Sequence, residues 1–315
     1  MEFEKLPTVP TADEVLDRSI RRAAKKMKEK RNKDRANEEF VRSIAQAVHD
    51  RLEDIVHKFP SIDSISPFYR DMLDILFGVD RVKKSLGAVG WAAKSTIQVG
   101  YGEARILRHA EDTLAVRKRG VARISSIVHQ VDEHLRFLND VRNTLRKLPD
   151  IKDEFTVVVA GYPNVGKSSF IRRVTTAEPE VASYPFTTKG ILLGHRSVGR
   201  RERIQCVDTP GILDRPMHER NPIERQALSA LMNVASVVLF ILDASETCGY
   251  TLEEQCHLLE ELKGMVTVPL IVVVNKADIR PLPGCMNMST ETGSGIEEVL
   301  DALLTQREPS PRLPQ

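Results

Sequence analysis

The run Gly161-Tyr162-Pro163-Asn164-Val165-Gly166-Lys167-Ser168 fits the pattern G-x-x-x-x-G-K-S/T at every fixed position. Bare glycines let backbone N–H groups turn toward an anion with no side chain in the way, and a helix opening behind them adds donors and a favourable dipole. In this arrangement Lys167 reaches the β- and γ-phosphates of a nucleotide, the Ser168 hydroxyl ligates Mg²⁺, and Ser169 completes the nucleotide-binding run. Downstream, Asp208-Thr209-Pro210-Gly211 closes an apolar run. A carboxylate there suits a Mg²⁺ held through water, and the Gly211 N–H is free for a γ-phosphate. Between them lies Tyr184-Pro185-Phe186-Thr187-Thr188-Lys189-Gly190, where a threonine hydroxyl can join the Mg²⁺; Thr188 is the first choice and Thr187 the second.

Asn275-Lys276-Ala277-Asp278 addresses the base. A carboxylate accepts two hydrogen bonds at once from the ring N–H and exocyclic amine of guanine, and adenine does not offer that pair. Asp278 is therefore expected to choose the base, Asn275 to bond guanine N7 and tie this loop to the phosphate loop, and the Lys276 stem to lie along the base face. Ser289-Thr290-Glu291 follows as the last base loop, with the Thr290 N–H for guanine O6. Only ten residues, Ile279 to Met288, separate Asp278 from Ser289, and Pro281, Pro283 and Gly284 argue against more than one helical turn there.

These loops need strands to end on. Phe155–Ala160 is a short apolar, β-branched run, as a strand buried on both faces would be. Further strands are predicted at Ile191–His195, Arg203–Val207, Val237–Leu242 and Leu270–Val274. Helices are predicted at Lys167–Val174, Ile223–Val234, Leu252–Leu262 and Ile296–Leu304. The expected fold is an α/β P-loop GTPase domain over 151–306, a mostly parallel sheet flanked by helices. The tail 307–315 has three prolines and is expected to be disordered.

Before residue 151 the pattern is helical throughout and predicts an all-α bundle domain over 1–150. One helical segment is expected over 11–58, with Thr11 and Glu14 at capping-box spacing and Phe59-Pro60 as its end. A second covers 67–86, and 103–148 holds one or two more with a stripe that includes Leu107, Leu114, Ile124, Leu135, Leu138 and Leu145. Gly87–Gly102 is rich in small residues, which predicts close helix packing with Trp91 and Tyr101 as core fillers; the competing reading is a surface that lies against a partner.

Charge divides with this boundary. Residues 1–150 carry 29 Lys and Arg against 23 Asp and Glu, while the rest carries 17 against 21. A polyanion partner would therefore meet the first half, through Arg18–Arg35 or Arg105–Arg123. The four cysteines lack C-x-x-C spacing and are expected to be free thiols. The absence of a signal peptide and of any long apolar run predicts a soluble, cytoplasmic protein with no membrane partner.

The run Leu148-Pro149-Asp150-Ile151 leading to GYPNVGKSS resembles the Nog (nucleolar GTP-binding protein) branch of the Obg-related GTPases. So do YPFTTKG, DTPGILDRPMHERNPIE (Asp208–Glu224), SETCGYTLEEQ (Ser245–Gln255) and LFGVDRVKKSLG (Leu76–Gly87). The resemblance covers about residues 10–304, nearly the whole chain. It implies GTP and GDP as ligands, Mg²⁺ as cofactor, and a role in assembling the large ribosomal subunit, with the helical domain on ribosomal RNA or its precursor and no DNA expected. The alternative is a regulatory GTPase whose helical domain binds a protein. Longer members continue beyond the point where this chain stops, which resembles a prokaryotic, archaeal-like short form. Asn164 resembles the K⁺-ligating asparagine of cation-activated GTPases; equally, it suits a tight loop. Ile212 stands where Ras-type enzymes place a water-orienting glutamine, which predicts slow intrinsic hydrolysis.

Overall fold

The computed structural model describes residue 3 and residues 6–28, 33–176, 178–184, 190–198, 202–208 and 221–307. The chain divides into two compact units, residues 1–65 with 76–146, and residues 66–75 with 147–315. The expected helical domain over 1–150 thus gives up one internal segment to the second unit.

In the first unit, α1 (Ala12–Lys28) opens on the expected box: the Thr11 N–H donates to Glu14 Oε2 at 3.0 Å and Thr11 Oγ1 accepts from the Glu14 N–H at 3.4 Å. The segment expected as one helix over 11–58 is α1 and α2 (Lys33–Lys58), with residues 29–32 outside the described residues. The helix expected over 67–86 is also two, α3 (Pro67–Phe77) and α4 (Val79–Leu107), because Gly78 between them sits at φ 76°, where a helix cannot continue. Two more helices, α5 (Thr113–Gln130) and α6 (Asp132–Leu145), complete the bundle. Leu114, expected in its apolar stripe, is instead exposed.

The Gly87–Gly102 stretch lies inside α4. Close packing holds for Gly100, since a Cβ there would collide with Ala45 of α2. The aromatic expectation does not hold: Trp91 is 50% and Tyr101 41% exposed. Val89, Ala92, Ala93, Thr96 and Gly100 fill the core side of α4, and helical periodicity carries 91 and 101 to the other face.

Four arginines of the 105–123 region are held within the bundle. Arg119 and Arg123 pair with the buried carboxylate of Glu103 at 2.8 and 2.7 Å. Burial pushes that carboxyl up, but the hydrogen bonds and charges of the two guanidinium groups outweigh it and hold Glu103 below the ordinary carboxylate range. Arg108 pairs with Glu38 at 2.7 Å, and Arg117 donates to Asn37 Oδ1 at 2.9 Å.

The second unit is a seven-stranded sheet of β1 (Phe155–Ala160), β2 (Glu180–Ala182), β3 (Ile191–Val198), β4 (Glu202–Asp208), β5 (Val237–Asp243), β6 (Leu270–Asn275) and β7 (Met286–Asn287), in the order β2-β3-β4-β1-β5-β6-β7. The pairs β4/β1, β1/β5, β5/β6 and β6/β7 are parallel; β2/β3 and β3/β4 are antiparallel. Among the described residues, α7 (Lys167–Val174), α8 (Pro222–Met232) and α9 (Leu252–Lys263) connect strands, and α10 (Ile296–Thr305) follows β7. Every residue of β5 is buried, as a central parallel strand requires. No helix occupies 279–288, as expected, and the short strand β7 lies within that stretch.

The segment Ser66–Ile75 packs into this unit. Phe68 and Met72 are buried, the Phe68 ring stacks on Tyr184 with centroids 6.3 Å apart, and the Tyr69 hydroxyl donates to the Pro149 carbonyl at 2.7 Å. Tyr184 in turn donates to the Ala227 carbonyl in α8 at 2.6 Å. Burial pushes the Tyr184 phenol up, so it remains a hydrogen-bond donor at any working pH.

Candidate nucleotide site

The parallel strands bring four carboxyl-terminal ends to one edge of the sheet. Register places Val159 beside Asp208 and Asp243 beside Asn275, so β1 and β4 end nearly level, as do β5 and β6, and β5 runs three residues beyond Phe240, the partner of Ala160 at the end of β1. This is the edge where open α/β sheets bind ligands.

The phosphate loop follows β1 and opens α7. Gly161 and Gly166 lie at φ 134° and 105°. A Cβ on Gly161 would press on the Ile241 carbonyl, and one on Gly166 would overlap the Asn275 amide, so these glycines answer to packing as well as to backbone freedom. Asn164, also left-handed at φ 61°, is exposed. Its backbone geometry accounts for an asparagine there, and its exposed side chain is available to a ligand. Lys167 is nearly buried, its ammonium donating to the Gly161 and Tyr162 carbonyls at 2.8 Å each. Ser168 Oγ donates to the buried Asp208 carboxylate, which brings the two expected Mg²⁺ residues together. The Tyr162 ring packs on Tyr250 with centroids 4.3 Å apart, while Pro163 and Val165 complete the loop and Ser169 is exposed on α7.

The base loops are joined to the phosphate loop by one side chain. Asn275 is fully buried; its amide donates to the Val165 carbonyl at 2.8 Å and to Thr290 Oγ1 at 3.0 Å, and its oxygen accepts from the Thr290 N–H at 2.9 Å. The three loops expected from sequence therefore close on one another, and the Thr290 N–H, expected to face guanine O6, is spent on Asn275 instead. Ser289 is buried and its hydroxyl accepts from the Thr292 N–H, which holds Thr290 and Glu291 in a turn. Asp278 is exposed and, among the described residues, its carboxylate has no partner.

Sequence reasoning missed the support under Lys276. The Lys276 ammonium bonds Asp243 Oδ2 at 2.7 Å and Thr247 Oγ1 at 2.9 Å. Burial raises the Asp243 pKa, but bonds from Lys276, Ser245 and Thr247 prevail and hold it below the ordinary range. Gln255 of α9 closes the assembly, bonding both backbone groups of Asp243 and the Tyr250 carbonyl. The signal was present: an aspartate ending a strand buried at every position needs a built set of partners. Thr187, Thr188, Thr209, Gly211 and Ile212 lie outside the described residues.

All four cysteines are free. Among the described residues no group of three His, Cys, Asp or Glu could hold a metal, and no helix is long and apolar enough to cross a membrane.

A glycine-rich loop between the central strand and α7, with a second loop at the end of β6 locked to it, defines a P-loop GTPase fold behind a helical domain. The chain belongs to the nucleolar GTP-binding protein 1 (NOG1) family. The model of the NOG1 N-terminal helical domain matches residues 3–152, and that of NOG1 itself matches residues 222–278. An uncharacterized protein of Methanocaldococcus jannaschii is 43% identical over 288 residues, 88% of this chain and 81% of that protein. Nucleolar GTP-binding protein 1 of Drosophila melanogaster is 37% identical over 290 residues, 88% of this chain; the match spans 44% of the fly protein. A solved structure of the same family name from Plasmodium falciparum is 32% identical, covering 50% of this chain and 89% of that one, with a TM-score of 0.46.

Proposed function

We propose that the chain binds GTP and GDP, hydrolyses GTP slowly, and uses the two states to time a step in assembly of the large ribosomal subunit, its helical unit docking on ribosomal RNA. The observation that carries the nucleotide reading is Asn275, whose amide locks the Asp278 loop to the phosphate loop. That lock sets a fixed distance between a base-reading carboxylate and a phosphate cradle.

Mg²⁺ fits this donor set. A hydroxyl from Ser168 and a buried carboxylate from Asp208 are hard oxygens, too few to cage the ion alone, which suits a cation held mainly by phosphates and water. Ser168 would bind it directly, Asp208 through water, and Thr188 would join them. The ion would supply charge neutralisation at the phosphates. Lys167 would exchange its bonds to the Gly161 and Tyr162 carbonyls for the β- and γ-phosphates, and Gly211, outside the described residues, would offer its N–H to the γ-phosphate. With Ile212 where a glutamine would orient water, intrinsic turnover is expected on the order of 10⁻⁴–10⁻³ s⁻¹.

Asn164 gives this rate a test. A K⁺ beside it would place charge where charge grows during hydrolysis. Steady-state turnover in KCl is expected to exceed that in NaCl several-fold at matched ionic strength, and Asn164→Ala to abolish the difference. Equal rates in both salts would leave Asn164 as a loop-shaping residue only.

The RNA reading rests on charge. Arg18, Arg21, Arg22, Lys25 and Lys26 of α1 are exposed, and the Arg21–Asp17 pair, with both side chains mostly in water, neutralises little. The chain is expected to co-sediment with large subunits in a salt-dependent way. Reversing charge at Arg21, Arg22, Lys25 and Lys26 should weaken association and flatten its salt slope by up to about 0.9 per lost phosphate contact. GTP turnover in isolation should hardly change. Unaltered association would remove α1 from the interface.

A further inference from the structure

We propose that the outward face of α4, from Lys84 to Arg105, is an RNA-docking surface on which Trp91 stacks an unpaired base. The inference rests on the RNA reading above and names the face that reading leaves open.

Lys84, Gly87, Trp91, Lys94, Gln98, Tyr101 and Arg105 are all exposed and follow one another at alternating intervals of three and four. That spacing keeps them on one side of the helix, and the 1.5 Å rise per residue stretches them over about 32 Å. The stripe holds three cations. The acidic residues of α4 are Asp80, one turn before Lys84, and Glu103, which is buried between Arg119 and Arg123.

Two features separate this stripe from an ordinary solvated helix face. Among the described residues the Lys84, Lys94 and Arg105 side chains make no ion pair or hydrogen bond, whereas Arg108, Arg119, Arg123 and Arg136 are each spent on a carboxylate. Trp91 is half in water, and its indole N–H and ring have no hydrogen-bond or ring partner among the described residues. Tryptophan normally buries most of its surface and pairs its N–H. Tyr101 is different: its hydroxyl donates to Gln46 at 3.1 Å and the Arg42 guanidinium lies 5.1 Å from its ring centre, so it belongs to the rim. A Cβ at Gly87 or Gly102 would meet nothing within 4 Å, so a ligand backbone can approach the helix closely at both.

Heptad-like spacing also suits a second copy of the chain, but that would bring Lys84, Lys94 and Arg105 against the same cations. The charge calls for a polyanion, and the open ring selects one that offers flat bases. RNA with an unpaired stretch meets both needs, because every base has a face to stack while the phosphates answer the cations.

Trp91 is the sole tryptophan of the chain, so its emission reports this face directly. The full chain is titrated with a 12-nucleotide oligouridylate, a 16-base-pair RNA duplex, large-subunit ribosomal RNA and inorganic polyphosphate. Saturable quenching by oligouridylate and ribosomal RNA is expected, with little from duplex or polyphosphate. Trp91→Ala should weaken oligouridylate binding about tenfold or more, and Trp91→Phe should recover part of it. Lys84→Glu with Lys94→Glu should lower affinity and flatten the salt dependence. RNA binding with unchanged emission and full affinity in Trp91→Ala overturns this face and leaves the RNA reading standing. No RNA binding at any salt overturns both. Quenching that grows with protein concentration alone, with a doubled mass, makes a second copy the occupant and overturns the proposal.

Discussion

Asp278→Asn is expected to lower GTP affinity on the order of 10²–10⁴-fold and to turn preference toward XTP. The wild-type carboxylate accepts from the ring N–H and the exocyclic amine of guanine, and a hydrogen bond to a charged group contributes about 1.5–3 kcal/mol. Asparagine keeps one acceptor and adds a donor, which faces the guanine amine badly and the xanthine carbonyl well. The structure adds a control. Asp278 is exposed and, among the described residues, unpaired, so no fold contact is lost with it and the unfolding midpoint should stay in place. Its position is held by backbone: the Ala277 N–H donates to the Met288 carbonyl at 3.1 Å, and Lys276 takes a left-handed turn at φ 58°. Competition of GTP, ATP and XTP against a fluescent-labelled GDP reads the effect. Equal competition by ATP and GTP in the wild type would end the guanine reading.

The phosphate loop was legible because its chemistry is local: β1 and α7 have the bounds expected from Phe155–Ala160 and Lys167–Val174. What sequence hid was set by contacts across the chain. Strands β2 and β7, of three and two residues, are too short to show a period, and pairing with β3 and β6 defines them. Asp243 and Gln255 form one unit only because β5 and α9 fold back on each other. Trp91 and Tyr101 read as core because large aromatics usually are, yet Val89, Ala92, Ala93 and Thr96 claim the inner face of α4. Helical periodicity identified α3 and could not say which body it serves, since an apolar stripe records that a helix is buried and not against what.

That last ambiguity has a large measurable consequence. Phe68 lies far upstream of the phosphate loop and between helices of the bundle in sequence, yet it belongs to the nucleotide unit, stacks on Tyr184, makes an edge contact with Tyr69 at 5.2 Å, and is 1% exposed. Truncating a buried phenylalanine costs about 3–5 kcal/mol, a large part of the 5–15 kcal/mol that holds a typical domain. Phe68→Ala should therefore lower the midpoint at which bound fluorescent GDP is lost by roughly 1–3 M urea. Trp91 lies in the other unit, so its emission follows the bundle separately. The Trp91 transition should move much less than the GDP transition. Tyr184→Phe supplies a milder second variant: it keeps the ring and strands the Ala227 carbonyl, at a cost of about 1–3 kcal/mol, and should shift the same transition in the same direction. If Phe68→Ala moves the Trp91 transition and leaves the GDP transition in place, the segment serves the bundle, and the nucleotide unit stands without it.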